Sequence, residues 1–260
     1  MGRLANKIAI ITGGAKGLGE ADARMFAREG ATVILTDVDR ENGNRLADEI
    51  GGKTEFHYQD VREEAGWKAL IDDVVTRHGR LDILVNNAGV VEAGTIETQT
   101  EEEYRFVMAV SADGTFFGCK HAVLAMKKTG GGSIVNMASI ASIQGEPVVA
   151  AYAAAKGAVE SLTRSVAVHC ANNGYNIRCN SVHPAGVLTP MVMAFAEKAA
   201  GADLRPASDA PPPSKLGEPD DIAFTVLFLA SDESKFINGA AIRVDNAKSV
   251  VEGFVGDANG

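Results

Sequence analysis

The chain has 260 residues, 46% apolar and 23% charged, with a formal net charge of -9. This length and composition suit one α/β domain with a sizeable core, and the acidic surface disfavours nucleic acid or anionic membrane as partners. No apolar run approaches the ~18 residues of a membrane span, and the N-terminus lacks a charged leader followed by a long apolar stretch.

Short β-branched runs alternate with longer helical segments. Residues 7–12 read as a strand, 17–29 as a helix, 31–37 as a strand, 40–50 as a helix and 54–58 as a strand. Residues 63–78 read as a helix, 82–86 as a strand, and 101–128 as one long helix kinked near Gly114. A strand follows at 133–137, a helix at 152–172 and a strand at 177–182. A helix at 219–230 carries Pro219 in its first turn, and 240–244 closes as a seventh strand. Strands alternating with helices predict a single-domain, Rossmann-type doubly wound parallel sheet of seven strands with helices on both faces.

One stretch breaks the rhythm. Between Val182 and Pro219 lie Pro184, Pro190, Pro206 and the triplet Pro211-Pro212-Pro213. Long irregular segments after the carboxyl end of a strand are usually binding loops, so the region at about 184–218 reads as a substrate lid rather than a plain excursion. Met191, Val192, Met193 and Phe195 can line an apolar substrate pocket there; the alternative is packing of the lid on the core.

The first strand runs into Thr12-Gly13-Gly14-Ala15-Lys16-Gly17-Leu18-Gly19. Glycines 13, 17 and 19 allow a tight turn and close backbone approach to a pyrophosphate, which the amides of the next helix then face. Asp37, 18 residues after Gly19, ends the second strand, where a carboxylate accepts from the adenosine ribose hydroxyls. It repels a 2′-phosphate, so NAD is expected over NADP; Asp39 is better placed as the helix N-cap. Lys16 is the dissenting residue, able to reach a 2′-phosphate or to remain a solvated loop cation. After the third strand, the spacing lets Asp60 meet the adenine amino group while Val61 packs on the ring. In Asn86-Asn87-Ala88-Gly89 small residues let the backbone lie against the ribose, and Asn86 can tie neighbouring strands together.

Tyr152 and Lys156, four residues apart, share one helix face. A tyrosine with its usual pKa near ~10 is a poor base at neutral pH. A nearby ammonium favours the phenolate, and Tyr152 can then exchange a proton with an alcohol or carbonyl. Lys156 can also bond the nicotinamide ribose. Ser139, just after the fifth strand, can donate to the substrate oxygen.

With these motifs in this order, the chain resembles the short-chain dehydrogenase/reductases over about residues 4–245, and within them the bacterial NAD-dependent hydroxysteroid and cyclic secondary-alcohol dehydrogenases. His183-Pro184-Ala185-Gly186-Val187-Leu188-Thr189-Pro190-Met191 and the ending Val244-Asp245-Asn246 are similar to their loops. The resemblance implies hydride transfer to the nicotinamide, with Pro184, Val187 and Thr189 near its carboxamide and the pyrophosphate. It implies a homotetramer built on the helices at 101–128 and 152–172. It also implies a fourth catalytic position, where the family carries asparagine and this chain has Ser111. Ala185 stands where the family often has glycine.

The expected function is an NAD(H)-dependent oxidoreductase of an apolar, cyclic secondary alcohol, cyclohexanol-like or a hydroxysteroid, with a small-molecule substrate. A 3-oxoacyl-carrier-protein reductase is an alternative, opposed by Asp37 and the acidic charge. A non-catalytic cofactor-binding homologue is a second, opposed by the intact Ser139, Tyr152 and Lys156. Cys119, Cys170 and Cys179 form no C-x-x-C pair and the five histidines show no ligand spacing, so no metal is expected and the thiols fit a reducing cytoplasm.

Overall fold

A computed structural model describes residues 2–200 and 215–250 of the chain. The strand β1 (Ile8–Thr12) is buried at every position. Its Ala9 and Ile11 face one core layer and its Ile8 and Ile10 the other. A strand apolar on both faces belongs in a parallel sheet covered by helices.

The elements that follow are α1 (Gly17–Arg28), β2 (Thr32–Asp37), α2 (Arg40–Ile50), β3 (Thr54–Tyr58), α3 (Glu64–His78), β4 (Ile83–Asn86) and α4 (Glu101–Met108). After a π-helical turn (Ala109–Asp113) come α5 (Gly114–Thr129), β5 (Gly132–Met137), a 3-10 turn (Ile140–Ser142) and α6 (Ala150–Asn172). The chain continues through β6 (Ile177–Pro184), α7 (Pro190–Ala200), α8 (Pro219–Ala230) and β7 (Ala241–Val244). Among the described residues, seven parallel strands form one sheet in the order β3-β2-β1-β4-β5-β6-β7. The doubly wound sheet expected from the sequence is therefore what forms. Helices α1, α2 and α8 cover one face, and α3, α5 and α6 the other. Strand order reverses between β1 and β4, and the crevice at their carboxyl ends is where such sheets bind ligands.

Two expectations need correction. The segment at 101–128 is not one helix kinked at Gly114. A wide π turn interrupts it at Ala109–Asp113, and Gly114 begins α5 in helical geometry with φ -56°. Glycine is needed there for space: a Cβ at Gly114 would lie 2.9 Å from Val61 Cγ2. The π turn re-aims one turn of side chains and buries Ser111 and Ala112. The region 184–218 is also less irregular than its prolines imply. Pro190 opens α7 from its first position, where its missing N–H costs nothing. Pro206 and Pro211 to Pro213 lie outside the described residues. Among the described residues no helix is long and apolar enough to cross a membrane.

One buried group works against stability. Asp22, on α1, is 1% exposed, and neither carboxyl oxygen has a hydrogen-bond partner. Burial holds its pKa well above the ordinary 3.8. A carboxyl with a raised native pKa binds its proton more tightly when folded, so its contribution is intact below pH 3.8 and declines as pH rises above that. Asp22→Ala is therefore expected to stabilise the protein at pH 7 by about 1–3 kcal/mol, the usual penalty of an unsatisfied buried polar group. Thermal melts of both proteins at pH 4 and pH 7 check this: the variant's advantage should grow with pH, and a variant no more stable at pH 7 refutes it.

Candidate active site

The crevice begins at the glycine loop. Gly13 and Gly17 hold positive φ of 61° and 63°. A Cβ on Gly19 would lie 2.3 Å from the Gly13 carbonyl oxygen and 2.7 Å from Asn87 Nδ2. Glycine there lets α1 start against the ends of β1 and β4. The N-cap of α1, Lys16, makes no side-chain capping bond, so its first amides are left for an anion. Leu18 packs on the core beneath. Thr12 organises the other wall: its Oγ1 accepts from Asn87 N (3.1 Å) and Ala88 N (3.0 Å). Asn87 Nδ2 donates to Thr12 O at 2.9 Å and Gly13 O at 3.0 Å. Asn86 ties β4 to β5 by donating to Asn136 Oδ1 at 2.8 Å.

The strand ends carry the carboxylates. Asp37 accepts from Ala15 N at 3.2 Å and Asp39 N at 3.0 Å, which ties the end of β2 to the glycine loop. Asp39 caps α2, accepting from Asn42 N at 3.2 Å, as its spacing predicts. Lys16 is 59% exposed, with its Nζ 3.6 Å from Asp39 Oδ2, a solvated loop cation with a loose acidic neighbour. Asp60 is paired with Arg62 (Nη2 to Oδ2 2.5 Å), which holds its carboxyl below the usual range. Val61 is 7% exposed and packs against Gly114, so its side chain is part of the core. Its carbonyl accepts from Trp67 Nε1 at 3.0 Å. Both side chains thus have partners within the chain, which their spacing alone did not reveal.

Deeper in the crevice, Ser139 ends the β5 connection and caps the 3-10 turn, accepting from Ala141 N at 3.2 Å. Tyr152 and Lys156 follow one turn apart on α6. The start of α6 is held from outside by Gln99, whose Oε1 accepts from Ala151 N at 2.9 Å. Lys156 is 3% exposed and donates from Nζ to the Met137 carbonyl at 2.7 Å. Burial lowers its pKa to about 8. Its Nζ lies 5.5 Å from the centre of the Tyr152 ring. Burial pushes the Tyr152 phenol above its ordinary value, and a hydrogen bond with Ser139 acts in the opposite sense. The ammonium was expected to favour the phenolate. In this protein desolvation sets the direction, because a phenolate is costly away from water.

Ser111 is fully buried, and its Oγ accepts from Val90 N at 3.4 Å. A Cβ on Gly89 would sit 3.2 Å from Lys156 Nζ and 3.5 Å from Ser111 Oγ. Gly89, Ser111 and Lys156 therefore share one small space, which the π turn creates. On the far wall, Pro184 completes β6 opposite Val244. Thr189 approaches the glycine loop, 3.6 Å from a Cβ placed on Gly17. Val187 is buried and bridges to Gly217. Leu188 N donates to Gly217 O at 2.8 Å and Gly217 N to Gly186 O at 3.0 Å, closing the base of the segment between them.

Sequence reasoning gave no role to Thr12, Gln99 or the Met137 carbonyl. A polar side chain ending an otherwise apolar strand marked Thr12. The other two act through contacts across the fold and leave no local signal. Among the described residues, no group of three or more His, Cys, Asp or Glu side chains can hold a metal ion.

Known proteins resemble this chain in sequence and in fold. A family model described as enoyl-(acyl carrier protein) reductase matches residues 13–246. The NADP-dependent (R)-specific alcohol dehydrogenase of Lentilactobacillus kefiri is 41% identical over 247 residues, covering 94% of this chain and 96% of the relative. The 3-beta-hydroxysteroid dehydrogenase of Comamonas testosteroni is 40% identical, with 94% and 96% covered. The cyclopentanol dehydrogenase of Comamonas sp. (strain NCIMB 9872) is 38% identical, with 94% and 98% covered. The crystal structure of levodione reductase superposes with a TM-score of 0.90 at 31% identity, covering 96% of this chain and all of that one.

The glycine cradle generates a prediction independent of turnover. Gly19→Ala places a methyl group 2.3 Å from a backbone oxygen, so α1 must shift from the crevice. The variant is expected to lose NADH binding, read by NADH fluorescence titration, by at least about tenfold in Kd. Wild-type affinity in a folded variant would mean that the dinucleotide does not use this loop.

Proposed function

The chain belongs to the short-chain dehydrogenase/reductase family, and on that premise we propose that it is an NAD-dependent dehydrogenase interconverting an apolar, cyclic secondary alcohol and its ketone. The observation that carries this reading is the convergence of Ser139, Tyr152 and a buried Lys156 at the crevice where strand order reverses.

The glycine loop with Gly13, Gly17, Leu18 and Gly19 would hold the pyrophosphate, with Thr189 beside it. Asp37 would accept from the ribose hydroxyls, and its negative charge argues for NAD even though the Lentilactobacillus kefiri relative is named NADP-dependent. Lys16 is 59% exposed beside Asp39 and stays available to a 2′-phosphate, so the preference for NAD rests on Asp37. Asp60, Val61, Asn87, Ala88 and Gly89 would form the adenosine wall, and Pro184 and Val187 the nicotinamide side. Bound NAD would supply the hydride acceptor and a positively charged ring.

Tyr152 is the proton donor and acceptor at the substrate oxygen. The single Ser139 hydroxyl proton bonds the Tyr152 oxygen in the free protein and would be given to the substrate oxygen when the site is loaded. Lys156, held by Met137, would bond the nicotinamide ribose and favour the phenolate once the site is loaded. Ser111, next to Lys156, takes the place of the family's asparagine, with a shorter reach. Helix α7 presents Met191, Val192, Met193 and Phe195 as the apolar part of a lid, and the names of the hydroxysteroid and cyclopentanol relatives support a cyclic substrate. The three buried, free thiols support a cytoplasmic setting.

An apolar groove between α5 and α6 runs past Phe116, Val123, Leu124, Leu162, Val166 and Tyr175. Phe116 is 49% and Leu124 42% exposed, a surface that supports a homotetramer formed by second copies of these helices. Light scattering is expected to give four times the chain mass, and a monomer would end this assignment.

The test of the chemistry is NADH and NADPH formation from a panel of cyclic alcohols and hydroxysteroids by wild type and Tyr152→Phe. The expected outcome is turnover with NAD that Tyr152→Phe lowers by at least about 100-fold. Undiminished turnover in Tyr152→Phe would remove Tyr152 from the mechanism, and preference for NADP would overturn the role of Asp37.

A further inference from the structure

Of the groups proposed to meet the substrate oxygen, Tyr152 is fixed by a 23-residue helix, whereas Ser139 sits on the connection leaving β5. The direction of its hydroxyl therefore depends on what holds its backbone. The Ser139 carbonyl oxygen takes a bond from Ser142 N at 3.0 Å and one from Ser142 Oγ at 2.8 Å. It also lies 3.1 Å from His183 Nδ1. His183 is fully buried near the end of β6, and its Nε2 lies 2.8 Å from Ser181 Oγ.

The chemistry of these partners assigns the ring. A carbonyl oxygen only accepts, so Nδ1 carries the proton that reaches Ser139 O, and Nε2 accepts from the Ser181 hydroxyl. Ser142 Oγ is also 3.0 Å from Nδ1 and within reach of Glu160 of α6, so its one proton goes either to the Ser139 carbonyl or to Glu160. Glu160 is paired with Arg164 at 2.7 Å. The charged groups facing the ring are Glu160 and Arg164 from α6 and Arg243 from β7. Burial lowers the His183 pKa below its ordinary value, which keeps the ring neutral and this hydrogen-bond pattern in place at pH 7. The result is a buried clamp spanning β6, the 3-10 turn and α6, closed on the backbone of Ser139.

We propose that His183 is a positioning residue, whose Nδ1–H fixes the Ser139 carbonyl and so aims the Ser139 hydroxyl at the substrate oxygen and Tyr152. This rests on the dehydrogenase reading above. His183 is held by Ser139, Ser142 and Ser181, so it acts through Ser139 and not on the reacting atoms.

The test compares wild type, His183→Leu and His183→Asn, with Ser142→Ala as a second route to the same carbonyl. Asparagine places an amide nitrogen close to the position of Nδ1, whereas leucine keeps bulk without a donor. Four quantities are read: kcat, KM, the Kd for NADH, and hydrogen exchange of the backbone amides in residues 138–145. His183→Leu is expected to lower kcat roughly 10- to 100-fold, the scale of a ~1 Å misplacement. KM and the NADH Kd should stay within about threefold, because ground-state binding does not use the clamp. Exchange in the segment should speed up in His183→Leu, and His183→Asn should recover most of both kcat and protection.

Wild-type kcat and exchange in His183→Leu, or equal impairment of the leucine and asparagine variants, overturns the proposal. If the His183 variants do not fold, Ser142→Ala is expected to show the same loss confined to kcat with faster exchange, and wild-type values there overturn the clamp. If wild type turns over no alcohol, the dehydrogenase reading fails, while the exchange comparison still decides whether His183 holds the Ser139 turn.

Discussion

The close approach of α1 to the ends of β1 and β4 is the contact on which the site depends. Three backbone segments meet within van der Waals distance at Gly13, Gly19 and Asn87–Ala88. The Thr12 hydroxyl and the Asn87 amide satisfy the polar groups that meet there. Because no side chain intervenes, the amide end of α1 opens into the crevice at the reversal of strand order. Moving α1 outward by the radius of one methyl group would separate the helix terminus from the carboxylates and catalytic groups around it.

Desolvation governs the second half of the site. Burial lowers the Lys156 ammonium to about 8 and raises the Tyr152 phenol, so both groups are pushed towards their neutral forms. The Met137 carbonyl offsets part of this for Lys156, and the Ser139 hydroxyl offsets part for Tyr152. In the free protein the phenol is neutral, and the ammonium is held less firmly than that of an exposed lysine. A cationic nicotinamide ring bound beside the pair, as proposed, would change the balance, since electrostatic interactions gain strength where water is excluded. In the proposed reaction, proton exchange would thereby be coupled to occupation of the crevice.

The fold was largely legible along the chain. Every predicted strand has a counterpart within two residues, because apolar runs buried on both faces and bounded by glycine or acidic caps have few other uses. The failures were local and had identifiable causes. The π turn at Ala109–Asp113 keeps the helical period closely enough that no pattern in Val110-Ser111-Ala112-Asp113 signals it. The helix α7 was hidden by neighbouring prolines, although proline is acceptable at a first helical position. For Asp60 and Val61, which the spacing assigned to the adenine, the contacts with Arg62 and Gly114 had no local signal.

By itself, the sequence determined the glycine spacing, the acid after β2, the Tyr152–Lys156 turn and the order of strands and helices. These are properties of short segments, where spacing along a strand or helix translates directly into position. Tertiary structure alone decided which groups become partners across the fold. Met137 binds Lys156 across 19 residues of chain, His183 reaches Ser139 across 44, and Gln99 caps α6 across 52. Asp22 and Lys156 both lose their solvent to the layers packed around them, and Lys156 gains the Met137 carbonyl in exchange. Burial and long-range pairing are set by the packing of whole layers, and no window of sequence contains that information.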